Sequence, residues 1–180
     1  MGRVLHLFSG PRGRPDGLAA ELAKLGVGCH EIDIVNGVEF NLANDAAWLR
    51  LCRQLAAGEV SAVVAGPPCT TFSRARQGPP GPRPLRSAAH PYGLPSGELT
   101  KAEHEAVREG TYMALRTLAF LGEAHGIDVP FMLESPEPTP GVVSIFDLPE
   151  ARTLAARPGV RAIDFDQCEG GGPAPNQPDF

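Results

Sequence analysis

Short apolar runs alternate with longer amphipathic stretches along most of the chain. Val4 to Phe8 (VLHLF) is an apolar run ending in Ser9-Gly10, which predicts a buried strand. After the loop PRGRPDG, Leu18, Leu22 and Leu25 recur at helical spacing, and Gly26 follows as the residue that ends that helix. Val27 to Val35 predicts a second strand, stopped by the turn pair Asn36-Gly37, and 39–43 a short third one. Asp45 is the expected cap of a helix through Ala57 that carries Trp48, Leu51, Cys52 and Leu55 on one face. Val60 to Ala65 predicts a fourth strand running directly into Gly66-Pro67-Pro68-Cys69. Beyond a Pro/Gly-rich loop, a long helix is predicted from Thr100 to His125, with Thr100 or Ser96 at its start. A fifth strand is predicted over 129–133, a helix over 148–157 and a last strand over 160–165.

Strands and helices alternating at this spacing imply βαβ units, hence an α/β fold with a mainly parallel sheet. Ligands in such sheets bind outside the carboxyl ends of the strands. The informative residues are therefore those just after each strand: Ser9-Gly10, Asp33, Asn41, Pro67-Pro68-Cys69 and Glu134.

Composition narrows the classes. With 180 residues the chain has room for one domain with a real core. The 19 prolines and 21 glycines concentrate at 78–97 and 170–178, which marks a loop and a tail. A net charge of −5 argues against bulk electrostatic binding of nucleic acid, yet residues 74–90 hold Arg74, Arg76, Arg83 and Arg86 and no acid. Read as an isolated charge run, that stretch is a solvated loop. The four cysteines, at 29, 52, 69 and 168, form no CxxC pair and have no zinc-type spacing. They imply reduced thiols and no metal site in a cytoplasmic protein. No apolar run approaches a membrane span and no basic leader precedes one, so neither a membrane nor export is expected.

The sharpest signal is Gly66 to Ser73, GPPCTTFS. At this composition, Pro-Pro-Cys followed by Phe-Ser at the observed offsets arises by chance on the order of 10⁻⁴ times. With Pro68-Cys69 after the fourth strand and Phe72-Ser73 downstream, the chain resembles the DNA cytosine-5 methyltransferase family. The resemblance covers residues 4 to about 136. VLHLFSG looks like that family's first cofactor motif, and FMLESP looks like its Glu-Asn-Val motif, with Glu134 at the glutamate. It implies a Rossmann-like S-adenosylmethionine-dependent methyltransferase domain over 1–168, with a mobile loop at 74–99 and a flexible tail at 169–180. Cys69 and Glu134 would be catalytic. Phe8, Ser9, Gly10, Asp33, Asn41 and Pro67 would hold S-adenosylmethionine. Ser73, Arg74, Arg76, Arg83 and Arg86 would contact DNA, with RNA not excluded as a substrate. The family's downstream Gln-x-Arg-x-Arg strand and target-recognition domain have no counterpart. The fold is therefore expected to be incomplete at its C-terminus, and the alternative is a weakly active or inactive remnant, or a subunit needing a recognition partner.

The implied chemistry explains the residue types. Carbon 5 of cytosine is a poor nucleophile until a thiolate adds at carbon 6, and cysteine is strongly nucleophilic even when only a few per cent ionised. Prolines beside it stiffen the loop and favour one attack geometry. A glutamic acid at ring nitrogen 3 stabilises the adduct in its protonated form. The base must leave the duplex to be reached. Taken singly, these residues have blander readings. A cysteine after a buried strand is usually a small hydrophobe, Phe8 fits a core, and Glu31 competes with Asp33 for the ribose. A cysteine hydrolase using His6, His90 or His125 rests on residue types alone.

Overall fold

A computed structural model of the chain describes residues 2–73, 76, 81–138 and 140–164. Arg74, Gln167, Cys168 and the expected tail at 169–180 lie outside the described residues. The described part is an α/β fold whose four strands all run parallel, in the order β2-β1-β3-β4, with four α-helices among the described residues. The elements are β1 (Arg3–Leu7), α1 (Leu18–Lys24), β2 (Cys29–Ile32), α2 (Asp45–Ala56), β3 (Val60–Ala65), α3 (Lys101–Gly126), β4 (Phe131–Leu133) and α4 (Pro149–Ala155).

Register explains which face is the core. Leu7 pairs with Ile32 on one side and Ala65 on the other, and Leu5 pairs with Val63. All five are buried, and they share one cluster with Trp48, Leu51 and Leu55 of α2 and with Met113, Leu118 and Leu121 of α3. The Trp48 and Phe120 rings meet edge to face at 5.5 Å between centroids, joining the two helices. The opposite face carries His6, Val64 and Met132 in register, and Met132 remains 49% exposed. Parallel sheets are usually covered on both faces. Here α1 buries no residue, so its Leu25, at 77% exposure, stands outside the apolar stripe expected of it.

Several boundaries differ from the sequence pattern. Residues 39–43 form no strand. Asn36-Gly37 leads instead into 3-10 turns over Ile34–Asn36 and Val38–Phe40, with Val38 81% exposed. Asn44, not Asp45, caps α2, its Oδ1 accepting from the Ala46 and Ala47 amides. Asp45 pairs instead with Arg116 of α3 at 2.6 Å. Gly26 does close α1, in the 6→1 and 5→2 pattern of Val27 N to Leu22 O and Gly26 N to Ala23 O. Thr100 caps α3 in a reciprocal box with Glu103. Residues 160–164 form no strand: 161–164 are exposed, and no strand beyond β4 is offered to them among the described residues. No described helix is long and apolar enough to cross a membrane.

Candidate active site

The carboxyl ends of β1 and β2 are tied together. The Gly10 amide donates to Asp33 Oδ2 at 2.9 Å, and Val35 N donates to Asp33 Oδ1 at 3.1 Å. Asn36 extends the tie, its Nδ2 donating to Gly10 O and its Oδ1 accepting from Arg12 N, both at 2.9 Å. Phe8 sits at φ 61°, a left-handed conformation that a bulky residue adopts only under tertiary constraint. Period-two alternation would send Phe8 to the face opposite Leu7. It packs instead against the same core as Leu7.

This arrangement opens a cleft of about 440 Å³ at the carboxyl edge of the sheet, lined by Phe8, Asp33, Phe40, Asn41, Gly66 and Pro68 among others. That volume lies within the roughly 300–1,000 Å³ range of small-molecule sites. Three of the residues expected at a cofactor, Phe8, Asp33 and Asn41, thus converge on one space. Ser9 and Gly10, in the turn after β1, do not line it, and the Ser9 hydroxyl donates to Gly10 O. Pro67 does not line the cleft: it is buried, and the exposed Pro68 lines it instead. Asn41 Oδ1 already accepts from the Ala43 amide at 2.9 Å, closing a local turn and leaving one lone pair for a ligand.

Cys69 follows β3 and Glu134 follows the neighbouring β4, and parallel pairing sets Glu134 against Gly66, three residues before Cys69. Glu134 N donates to Ala65 O at 2.8 Å, which continues the ladder one residue beyond the strand. Gly66 gives the carboxylate room, because a Cβ there would stand 3.2 Å from Glu134 Oε2. Cys69 is half-buried, and its O accepts from Phe72 N at 2.7 Å in a tight turn. Burial pushes the Cys69 thiol up from its ordinary range, and the Glu134 charge pushes the same way against a smaller backbone hydrogen-bond effect. The thiol is accordingly less ionised at neutral pH than a free cysteine. Its proton must leave as it attacks. Cys69 does not itself line the cleft, whereas Pro68 and Thr70 on either side of it do.

The basic stretch is not an open row of phosphate contacts. Arg86 is 4% exposed, with its guanidinium over the Phe72 ring at 3.6 Å and its nitrogens bonded within the protein. The expectation of a DNA contact there is corrected, since none of its donors faces solvent. Arg83 pairs with Glu103 at 2.7 Å and remains partly exposed. Arg76 donates to Thr70 O at 2.8 Å and to Arg83 O at 3.2 Å. Ser73 is half-buried and accepts from Arg76 N at 3.2 Å.

Sequence reasoning missed two walls of the cleft. Phe40, assigned above to a strand, lines it with Arg12 stacked over its ring at 4.1 Å. The far wall is α3, through Ala106, Glu109, Gly110 and Met113. Their i, i+3, i+4, i+7 spacing marks one helical face, and a glycine inside a long helix was the available signal. Among the described residues, no cluster of His, Cys, Asp or Glu is set to hold a metal ion. Comparison with known protein families, curated proteins and solved structures finds no match to this chain.

Proposed function

We propose that this chain is a Rossmann-like methyltransferase that moves a methyl group from S-adenosylmethionine to carbon 5 of cytosine in DNA, through a covalent adduct of Cys69. The observation that carries the reading is one juxtaposition. The aromatic, carboxylate and amide residues Phe8, Asp33 and Asn41 meet in the cleft that the Pro68–Thr70 segment borders, with Glu134 against the nucleophile loop. That donor set suits a nucleoside-bearing cofactor. A ring packs on a base, a carboxylate accepts from ribose hydroxyls and an amide meets the base edge. When bound, S-adenosylmethionine supplies the electrophilic methyl carbon.

The protein's own residues do the rest. Cys69 gives its proton to the Glu134 carboxylate as its sulfur bonds to carbon 6, so the ring's double-bond electrons make carbon 5 the nucleophile. Glu134 passes that proton to nitrogen 3 as the adduct forms and recovers it on elimination. Carbon 5 then loses its hydrogen as a proton to solvent, and Cys69 departs with the sulfur's bonding pair and takes back its proton from Glu134. The test is transfer of labelled methyl from S-adenosylmethionine to duplex DNA, single strands and RNA, with the product nucleoside identified. Label in 5-methylcytosine supports the reading. Label found only in an amino-methylated base, or in no nucleic acid, overturns it.

A further inference from the structure

We propose that Arg86 is a positioning residue for the nucleophile, clamping the Cys69–Phe72 turn onto α3 so that Cys69 is held in one orientation between Pro68 and Thr70, which border the cleft. The inference rests on the reading of Cys69 given above. Arg86 Nε donates to Thr71 O at 3.1 Å and to Thr71 Oγ1 at 3.3 Å, and Nη2 reaches the same hydroxyl at 2.8 Å. Nη2 also donates to Val107 O at 3.1 Å, while Nη1 reaches Pro91 O and Thr111 Oγ1, both at 2.9 Å. One guanidinium thus holds the nucleophile turn, the 91–93 loop and two turns of α3 together. Arg76 grips the adjacent carbonyl, Thr70 O, at 2.8 Å.

The clamp is made of locally unfavourable choices. Burying an arginine without a carboxylate is costly, and every acceptor named here is neutral. Burial lowers this guanidinium to about 10, so it stays charged at neutral pH. Stacking on Phe72 at 3.6 Å offsets part of that cost. The second choice is Gly110 inside α3, where alanine would be better by about 1 kcal/mol on helix propensity. A Cβ at 110 would meet Thr71 Oγ1 at 2.7 Å, so the glycine is what lets the clamp seat. Both choices converge on Thr71, two residues from Cys69, and local rules are broken most often where a functional geometry demands it. The clamp acts through the position of the turn, which the pH midpoint of Cys69 alkylation separates from an action by charge.

The test uses the full chain with Arg86→Gln, Arg86→Lys and Thr71→Val, the last keeping shape while removing the shared hydroxyl. Three properties are measured on protein with an intact thermal transition: amide exchange of Phe72, iodoacetamide alkylation of Cys69 across pH, and covalent trapping by a 5-fluorocytosine oligonucleotide. Arg86→Gln is expected to speed Phe72 exchange by about tenfold or more, as local opening no longer breaks the clamp. Alkylation of Cys69 should rise several-fold with its pH midpoint in place. Trapping should slow by about a hundredfold, the scale of a small misplacement of reacting groups, with S-adenosylmethionine affinity retained. Arg86→Lys keeps the charge without the fork and should fall between. Unchanged exchange and trapping in Arg86→Gln overturn the clamp, and so does a moved alkylation midpoint, which would mean that Arg86 acts by charge. If the unaltered chain forms no adduct, the proposed function fails on that arm, while exchange and alkylation still decide the clamp. If Arg86→Gln does not fold, Thr71→Val carries the same prediction at smaller size, and unchanged Phe72 exchange in it is equally fatal.

Discussion

Replacing Gly110 with alanine sets two effects of opposite sign against each other. A glycine in a helix interior is worse than alanine by about 1 kcal/mol, so propensity alone predicts stabilisation. Against that, the new Cβ would lie 2.7 Å from Thr71 Oγ1, 3.4 Å from Arg86 Nη2 and 3.9 Å from Phe72 Cε2. The Thr71 hydroxyl cannot swing away without leaving Arg86, which reaches it from both Nε and Nη2. The turn must retreat by about half an ångström or more, and overpacking of this kind typically costs about 1–3 kcal/mol. Weakened hydrogen bonds to a charged donor add about 1 kcal/mol or more. The clash wins, for a net loss of about 1–3 kcal/mol, or a fall in Tm of roughly 2–12 °C for a chain of this size. Gly126, the last residue of α3, is the internal control, because a Cβ there meets nothing within 4 Å. Gly126→Ala should hold Tm or raise it by about 1–4 °C. Thermal unfolding followed by circular dichroism reads both variants. A rise in Tm for Gly110→Ala would show that the nucleophile turn is free to move off α3, and would refute the packing argument.

Other expectations follow from single contacts. Asp33→Ala removes the acceptors of the Gly10 and Val35 amides, and should weaken S-adenosylmethionine binding by about 30-fold or more in calorimetry; affinity within twofold of the unaltered chain would place the cofactor elsewhere. Iodoacetamide should alkylate Cys69 with a pH midpoint above the ordinary thiol value of 9.0, and Glu134→Gln should lower that midpoint by removing a repelling charge. A midpoint indifferent to Glu134 would mean that the carboxylate does not face the sulfur. Glu103, held down to about 2 chiefly by its hydrogen bond from Arg83, contributes above its ordinary 4.5 and loses that contribution as pH falls towards 2. Proteolysis of the 83–98 loop should therefore increase across that acid window with an acid-tolerant protease, and Glu103→Gln should show the open loop at neutral pH.

Much of this arrangement is legible in the sequence because it rests on local periodicity. The apolar runs of β1 and β3, the amphipathic faces of α2 and α3 and the Thr100 cap each depend on residues close in the chain. That Glu134 and the turn leading to Cys69 share one sheet edge is legible for a related reason: each follows a recognisable strand, and parallel strands place their ends at one edge. The remainder depends on partners distant in sequence. Arg86 looks like a solvated arginine until the Thr71, Pro91 and Val107 carbonyls are seen waiting for it. Phe8 ends an apolar run like any other, and nothing local announces its left-handed turn. The run at 160–164 has strand composition, but composition provides no neighbouring strand to pair with. Phe40 lies in the short run 39–43, which reads as a strand on composition, whereas Gly37 at φ 143° starts the chain into the 3-10 turn over Val38–Phe40.

The most direct measurement is covalent trapping at Cys69. A 5-fluorocytosine oligonucleotide with S-adenosylmethionine arrests the reaction after methyl transfer, because fluorine cannot leave as the proton does. Intact mass and peptide mapping then locate the bond. The account predicts one adduct, on Cys69, abolished by Cys69→Ser, slowed severely by Glu134→Gln, and untouched by Cys29→Ser, Cys52→Ser or Cys168→Ser. Duplex DNA, single strands and RNA all belong in the substrate pool. An adduct on any other cysteine would contradict the site. No adduct with any of these substrates, from protein that binds S-adenosylmethionine, would contradict the chemistry.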